Sequence, residues 1–265
     1  GALVDKTTGS PTNGIMIAGV NSPYGDAIYK FQKGSIQPRV GFSWDPKSSG
    51  DMILRGSYGI YYDQPLVGIF EWNAFYNPPF NTSTNTIAPS FSNPGAGTTP
   101  TTRGMVTGWG TSTDFKNPRT MQWNVGVNRR LFTGATIEIS YVGARGDNLI
   151  RPTDPNYPMP ADVVALQTSL GSTAAVNPAR PYTGFSNIRF HETTAISRYH
   201  GLLTGFRWNF KDSGTVTVNY TLSGNKTDST NDRDTIDVPQ NPRDPMADYA
   251  WARTDRRHIL TASYV

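Results

Sequence analysis

Residues 122–143 read QWNVGVNRRLFTGATIEISYVG, two alternating arms around a tight turn. In the first arm Trp123, Val125, Val127 and Leu131 alternate with Gln122, Asn124, Asn128 and Arg130. In the second, Ile137, Ile139 and Tyr141 alternate with Glu138 and Ser140. A period of two sends successive side chains to opposite faces of a strand, so each arm has one apolar and one polar face. FTGA at 132–135 carries the turn, its glycine free to take the backbone angles a two-residue loop needs. Arg130 and Glu138 both fall on the polar face and are expected to meet across this hairpin as an ion pair.

Moving outward, ILRGSYGIYYD sets Leu54, Tyr58, Ile60 and Tyr62 against Arg55, Ser57 and Gly59. GTVTVNYTLS sets Val216, Val218, Tyr220 and Leu222 against Thr215, Thr217, Asn219 and Thr221. Less regular alternation covers 38–44, 199–209 and 257–265, making seven expected strands. Their connections alternate in length. DPKSSGD, FTGA and FKDSG are short, whereas about 63–118, 147–197 and 226–255 are long. Short turns on one side and long loops on the other are the layout of an antiparallel transmembrane β-barrel wall. The polar face, rich in Asn, Gln, Thr, Ser, Gly and Arg, suits a wet lumen. Trp44, Phe132, Trp208 and Phe210 lie towards the short turns, and Tyr62, Trp123 and Tyr141 towards the long loops, as two aromatic girdles do. A soluble β-sandwich whose aromatics pack its core, acting as a glycan binder, is the alternative architecture.

The composition narrows the function. Net charge is +4 over 265 residues with no basic run, which argues against a nucleic-acid partner. There is no cysteine, and the three histidines, His191, His200 and His258, are dispersed, so neither a metal site nor a cofactor is expected. No nucleophile elbow, Cys-His pair or phosphate-binding glycine loop occurs, and no catalytic residue is expected. No stretch approaches the roughly 18 apolar residues of a membrane helix. The chain stops at HILTASYV, inside an apparent strand, and is expected to be a piece of something longer.

Several segments carry a specific resemblance. NGIMIAGVNSPYGDAIYKFQKGSIQPRVGFSWDP and LRGSYGIYYDQP, then MQWNVGVNRRLFTGATIEISYVGARGDNLIR, YHGLLTGFRWNF and DRRHILTASYV, resemble in order the barrel of Oar-like TonB-dependent receptors. That resemblance implies an outer-membrane barrel of about 22 strands with an internal plug, of which this chain is part of the wall. It also implies a carboxypeptidase-regulatory-like N-terminal domain and coupling to the TonB complex, both through parts outside this chain. The remaining partners implied are outer-membrane lipid and a bulky extracellular solute: peptide, protein or glycan. A surface-display or adhesion barrel, its loops binding a partner, is the other function such a wall serves.

The site residues follow from this layout. Phe70, Trp72, Phe75 and Tyr76 in the first long loop, with Trp109 further on, are the ligand-binding candidates, since aromatic rings stack on sugars and peptides. They serve equally to pack the loop. Arg39, Arg55, Arg130 and Arg207, with Gln122, Asn124, Asn128, Glu138 and Asn219, are expected to face the lumen. Residues 160–171 read as a helix stopped by Gly171, and 81–102 have little to bury and read as mobile. In the acidic loop 225–244, Asp228, Asp232, Asp234 and Asp237 offer hard oxygen ligands but lack the regularity of a calcium loop. Arg145-Gly146-Asp147 is an adhesion tripeptide by composition. It is expected at an exposed strand end, with Gly146 serving the bend and Asp147 completing the tripeptide by coincidence.

Overall fold

The computed structural model describes residues 16–65, 67–77, 90–93, 106–170, 177–182, 185–210, 214–229 and 238–265. The wall strands are β1 (Arg39–Trp44), β2 (Met52–Tyr62), β4 (Arg119–Phe132), β5 (Ala135–Thr153), β6 (Phe185–Phe210), β7 (Gly214–Thr227) and β9 (His258–Tyr264). Each pairs antiparallel with the next, in sequence order. The expected strands are therefore all present, and they form part of one sheet of nine strands, with no second sheet among the described residues. A sandwich needs that second sheet.

Register settles the faces. Phe42, Gly56, Val125, Tyr141, Leu202, Leu222 and His258 lie in one cross-strand row, and Leu54, Val127, Ile139, Thr204, Tyr220 and Leu260 in the next. Apolar side chains thus predominate on one face while remaining exposed, Phe42 at 58% and Leu260 at 68%. An apolar band of this extent left open to water is unfavourable, and in lipid it is satisfied. Trp123 lies across Gly143 on this face, and a Cβ there would meet the indole at 2.3 Å. The ring can lie on the sheet only because its cross-strand neighbour has no side chain.

The short turns are fixed locally. At Gly134 φ is 81°, and a Cβ would sit 2.2 Å from the Asn209 carbonyl oxygen, so glycine is required on both counts. In the β1–β2 turn the Asp45 carboxylate accepts from the backbone N–H groups of Gly50 (2.7 Å) and Lys47 (3.1 Å). These bonds, Gly50 foremost, hold its pKa below the ordinary carboxyl value. The β4–β5 register shifts between Arg130 and Phe132, placing Arg130 opposite Thr136 and Glu138 opposite Asn128. The expected Arg130–Glu138 pair is therefore not formed. Arg130 instead reaches Asp51 at 3.1 Å.

Beyond the band the chain departs from its expected layout. β5 continues past Gly146 to Thr153, and β6 begins at Phe185 rather than near 199, so both ends of the loop expected over 147–197 are strand. A crossing takes about 9–11 residues, and β6 has 26. The surplus stands outside the bilayer, where neither face need be apolar, and this is why RFHETTAIS at 189–197 shows no clean alternation. Inside the span expected as loop 63–118, α1 (Val67–Phe75) is followed by β3 (Val106–Thr111), which pairs parallel with the outer part of β6. α2 (Pro160–Leu170) matches the expected helix, and β8 (Ala250–Trp251) makes a short bridge to β7. The buried apolar clusters belong to this outer part. One joins Ile69, Phe115 and Ile150 with Tyr29 and Phe70, and the other Phe185 and Ile188 with Ile17, Tyr182 and Phe190. Gly171, Asp232, Asp234, Asp237 and most of 81–102 lie outside the described residues.

Candidate functional site in the outer loops

α1 docks through one stripe. Ile69 and Asn73, four apart on one side, and Asn77 just past the end of the helix are 1%, 5% and 2% exposed. Below them β3 is an edge strand whose backbone groups need partners. Asn77 supplies them: its carboxamide oxygen accepts from the Trp109 N–H at 2.8 Å, and its Nδ2 donates to the Trp109 carbonyl at 2.6 Å. One side chain thus mimics a strand neighbour. Its Nδ2 also lies 2.9 Å from the Asn73 carbonyl, and Asn73 donates to Thr111 Oγ1 at 2.5 Å.

With the helix held so, Trp72 and Tyr76, one turn apart, come to Trp109. The Trp72 ring meets it edge-on with centroids 4.8 Å apart, and Tyr76 stacks on it at 5.3 Å. Arg189, the register partner of Trp109 on β6, places its guanidinium 4.8 Å from the same ring. Three of the aromatic candidates therefore form one cluster with a cation. Phe70 points elsewhere, stacking on Tyr29 at 5.6 Å and edge-on to Phe115 at 5.3 Å, and serves the packing of the outer part. Phe75 is 64% exposed and Tyr76 51%. Arg189, Asn73 and Asn77 had no marker in the sequence. An i, i+4 stripe of Ile and Asn in an aromatic run was the available signal, and it reads as helical only once the docking surface is known.

A second group anchors the loops. Arg151 and Asp228, with side chains 1% and 0% exposed, pair at 2.5 Å between β5 and the end of β7. Arg151 Nε donates to Thr194 Oγ1 at 3.0 Å, and Asp228 Oδ1 accepts from the Ile196 N–H at 2.8 Å. Asp228, a possible calcium ligand by sequence, is thus committed to an arginine. No three carboxylates or histidines come together as metal ligands among the described residues. Asn156, fully buried, donates Nδ2 to the carbonyls of Tyr182, Phe185 and Ser186 and accepts from the Tyr182 N–H at 2.6 Å. Asp154 Oδ1 accepts from the N–H groups of Asn156 and Ile188, both at 2.9 Å. Burial nonetheless raises its pKa, outweighing those bonds and Arg180 at 4.0 Å. Beside them, a cavity of about 600 Å³ opens between Tyr157, Val163, Val164 and the Val238–Pro242 segment.

Asp147 corrects the reading of the adhesion tripeptide. It is 8% exposed, not displayed, and its two carboxylate oxygens take Arg119 at 3.0 Å and Arg145 at 2.8 Å. Nor does Gly146 make the bend, since it is paired within both ladders, opposite Thr120 and Ser197. The irregularity falls after it, at Asn148, where φ is 55°.

The expected polar residues share the sheet face opposite the apolar band. Arg39 faces Gly59 and through it Gln122, Arg55 sits beside Gly126, and Asn124 donates to Ser57 at 2.6 Å. Asn128 and Glu138 are direct partners, Ser140 donates to Glu138 at 3.3 Å, and Asn219 follows through Gly205. Arg207 joins Arg130 through Thr136 and donates to Asn209 at 3.3 Å.

Two solved structures are similar in part. The outer membrane transporter YddB from Escherichia coli shares 12% identity over 72% of this chain and 20% of its own, with a TM-score of 0.46. The siderophore receptor PirA from Pseudomonas aeruginosa shares 11% over 72% of this chain and 30% of its own, with a TM-score of 0.37. The chain therefore spans less than a third of either protein. Comparison with curated protein sequences gave no match. The model of the outer membrane beta barrel domain family matches residues 2–265, and the chain belongs to that family, its sheet a stretch of barrel wall in the bacterial outer membrane.

Proposed function

We propose that this chain is wall and outer loops of an Oar-like TonB-dependent receptor that takes up a bulky solute, peptide, protein or glycan, through a plugged barrel. The observation that carries the reading is the outer cluster of Trp72, Tyr76, Trp109 and Arg189, fixed to β3 by Asn77 and standing on the extension of β6. Aromatic rings beside a guanidinium offer stacking surfaces and a hydrogen-bonding cation, a combination suited to sugars and peptides. In this reading the face carrying Arg39, Arg55, Gln122, Asn124, Asn128, Arg130, Glu138, Arg207 and Asn219 lines the lumen and meets the plug. Energy arrives from TonB through segments outside this chain.

The test uses the full-length protein in its own membrane, with fluorescent tryptic peptides and oligosaccharides as probes. Uptake of one of the two classes is expected, abolished by a protonophore and reduced about tenfold or more by Trp72→Ala with Tyr76→Ala. Surface binding that persists without uptake, and is indifferent to the protonophore, replaces transport with a display or adhesion role.

A further inference from the structure

One cross-strand row remains without a role. On the apolar face, immediately beyond the row of Tyr58, Trp123 and His200, register places Arg145, Arg198 and Lys226 side by side on β5, β6 and β7. Directly opposed side chains stand roughly 5 Å apart, and like charges at that spacing repel. Arg145 is partly neutralised by Asp147. Arg198 has no ion pair or hydrogen bond among the described residues. Lys226 lies 4.5 Å from the ring centroid of its register partner Trp251, which also carries Arg257 at 4.0 Å. At this level the cations Arg119, Arg145, Arg198, Lys226 and Arg257 outnumber the carboxylates Asp147 and Asp255.

We propose that Arg145, Arg198, Lys226 and Arg257 form a binding site for the phosphate headgroup of an outer-leaflet glycolipid. The row begins where the apolar band ends, the level at which a lipid with its chains against Leu202 and Leu222 holds its phosphates. Arginine forks and a lysine ammonium are the donors such oxygens select. Trp251, 51% exposed, stands at the same level with its indole among the cations, where interfacial tryptophans sit. The bound anion relieves the repulsion within the row, which gives the row a reason to exist on the lipid side. This inference rests on the membrane location of the wall and not on the uptake reading.

The experiment measures retention of bis-phosphorylated lipid A by the detergent-purified full-length protein, using native mass spectrometry and thermal shift. Wild type is expected to bind it and to be stabilised by it. Arg198→Gln with Lys226→Gln is expected to weaken binding roughly 10- to 30-fold. The charge-conserving Arg198→Lys with Lys226→Arg retains most of the affinity, as does Lys30→Gln with Lys33→Gln on exposed residues away from the sheet. Heat-modifiable gel mobility verifies that each variant is folded. Equal binding by the Gln double variant, or equal binding of dephosphorylated lipid A by wild type, overturns the site. Displacement by inorganic phosphate alone makes it a soluble-anion site and overturns it as a lipid site. Loss of transport in the absence of these outcomes bears on the uptake reading alone.

Discussion

Asp147 illustrates how a short motif changes meaning once its neighbours are known. Arg145 and Asp147 lie two apart on a strand and so on one face, and Arg119 arrives there through the β4–β5 register. The carboxylate is a bracket between two strands, and the tripeptide is a by-product of that geometry. Asp147→Ala is expected to lower the stability of the folded protein by ~1–2 kcal/mol, read from the midpoint of thermal unfolding, because two guanidinium groups lose their shared counter-charge. Cell attachment in a solid-phase assay is expected to be unchanged. Asp154 gives the complementary case. Its pKa is raised in the folded loop, so the stability it contributes is present below the ordinary 3.8 and is lost as pH rises through the folded value. Asp154→Asn keeps an acceptor for the Asn156 and Ile188 N–H groups without ionising. It is expected to make the outer loops more resistant to proteolysis at neutral pH and to flatten the pH dependence of that resistance. None of this was legible beforehand, because it depends on burial and on partners far apart in the chain.

Among the elements, β5 and β6 continue beyond the bilayer, and Arg151 with Asp228 pins that extension to the end of β7. A buried charge left without its partner costs about 3–5 kcal/mol, whereas an apolar pair of similar volume is close to neutral. Arg151→Met is therefore expected to expose the outer loops to protease on intact cells, and Arg151→Met with Asp228→Leu to restore their protection. The strands inside the membrane were readable because lipid favours apolar side chains at alternate positions, which leaves a period of two in the sequence. Outside it that constraint lapses. The parallel partner of β6, the helix α1 and the added length of both strands all arise from contacts such as Asn77 with Trp109, which leave no periodic trace. Register was the weak point even within the band: the β4–β5 ladder sets Arg130 opposite Thr136 and Glu138 opposite Asn128, and the β2–β4 ladder brings Arg130 beside Asp51.

For the molecule as a whole, alternation of short turns and long loops identified the architecture, and the family match agrees with it. The sheet has apolar residues facing out in every strand of the wall, and the edges at β1 and β9 expose backbone groups that lipid cannot satisfy. Full-length protein in detergent is expected to migrate faster unheated than boiled on a denaturing gel, as closed barrels do. A single mobility, with solubility in the absence of detergent, contradicts a membrane wall.

The length of β6 has a mechanical consequence. One unbroken strand carries Arg189 beside the aromatic cluster and, some 70 Å along the same backbone at about 3.3 Å per residue, ends at Phe210, paired with Gly214 of β7. A tug on the cluster along the strand axis loads the ladders on either side in shear, so many hydrogen bonds share the force instead of opening one after another. β6 is a spar: what grips the outer end pulls against the whole wall.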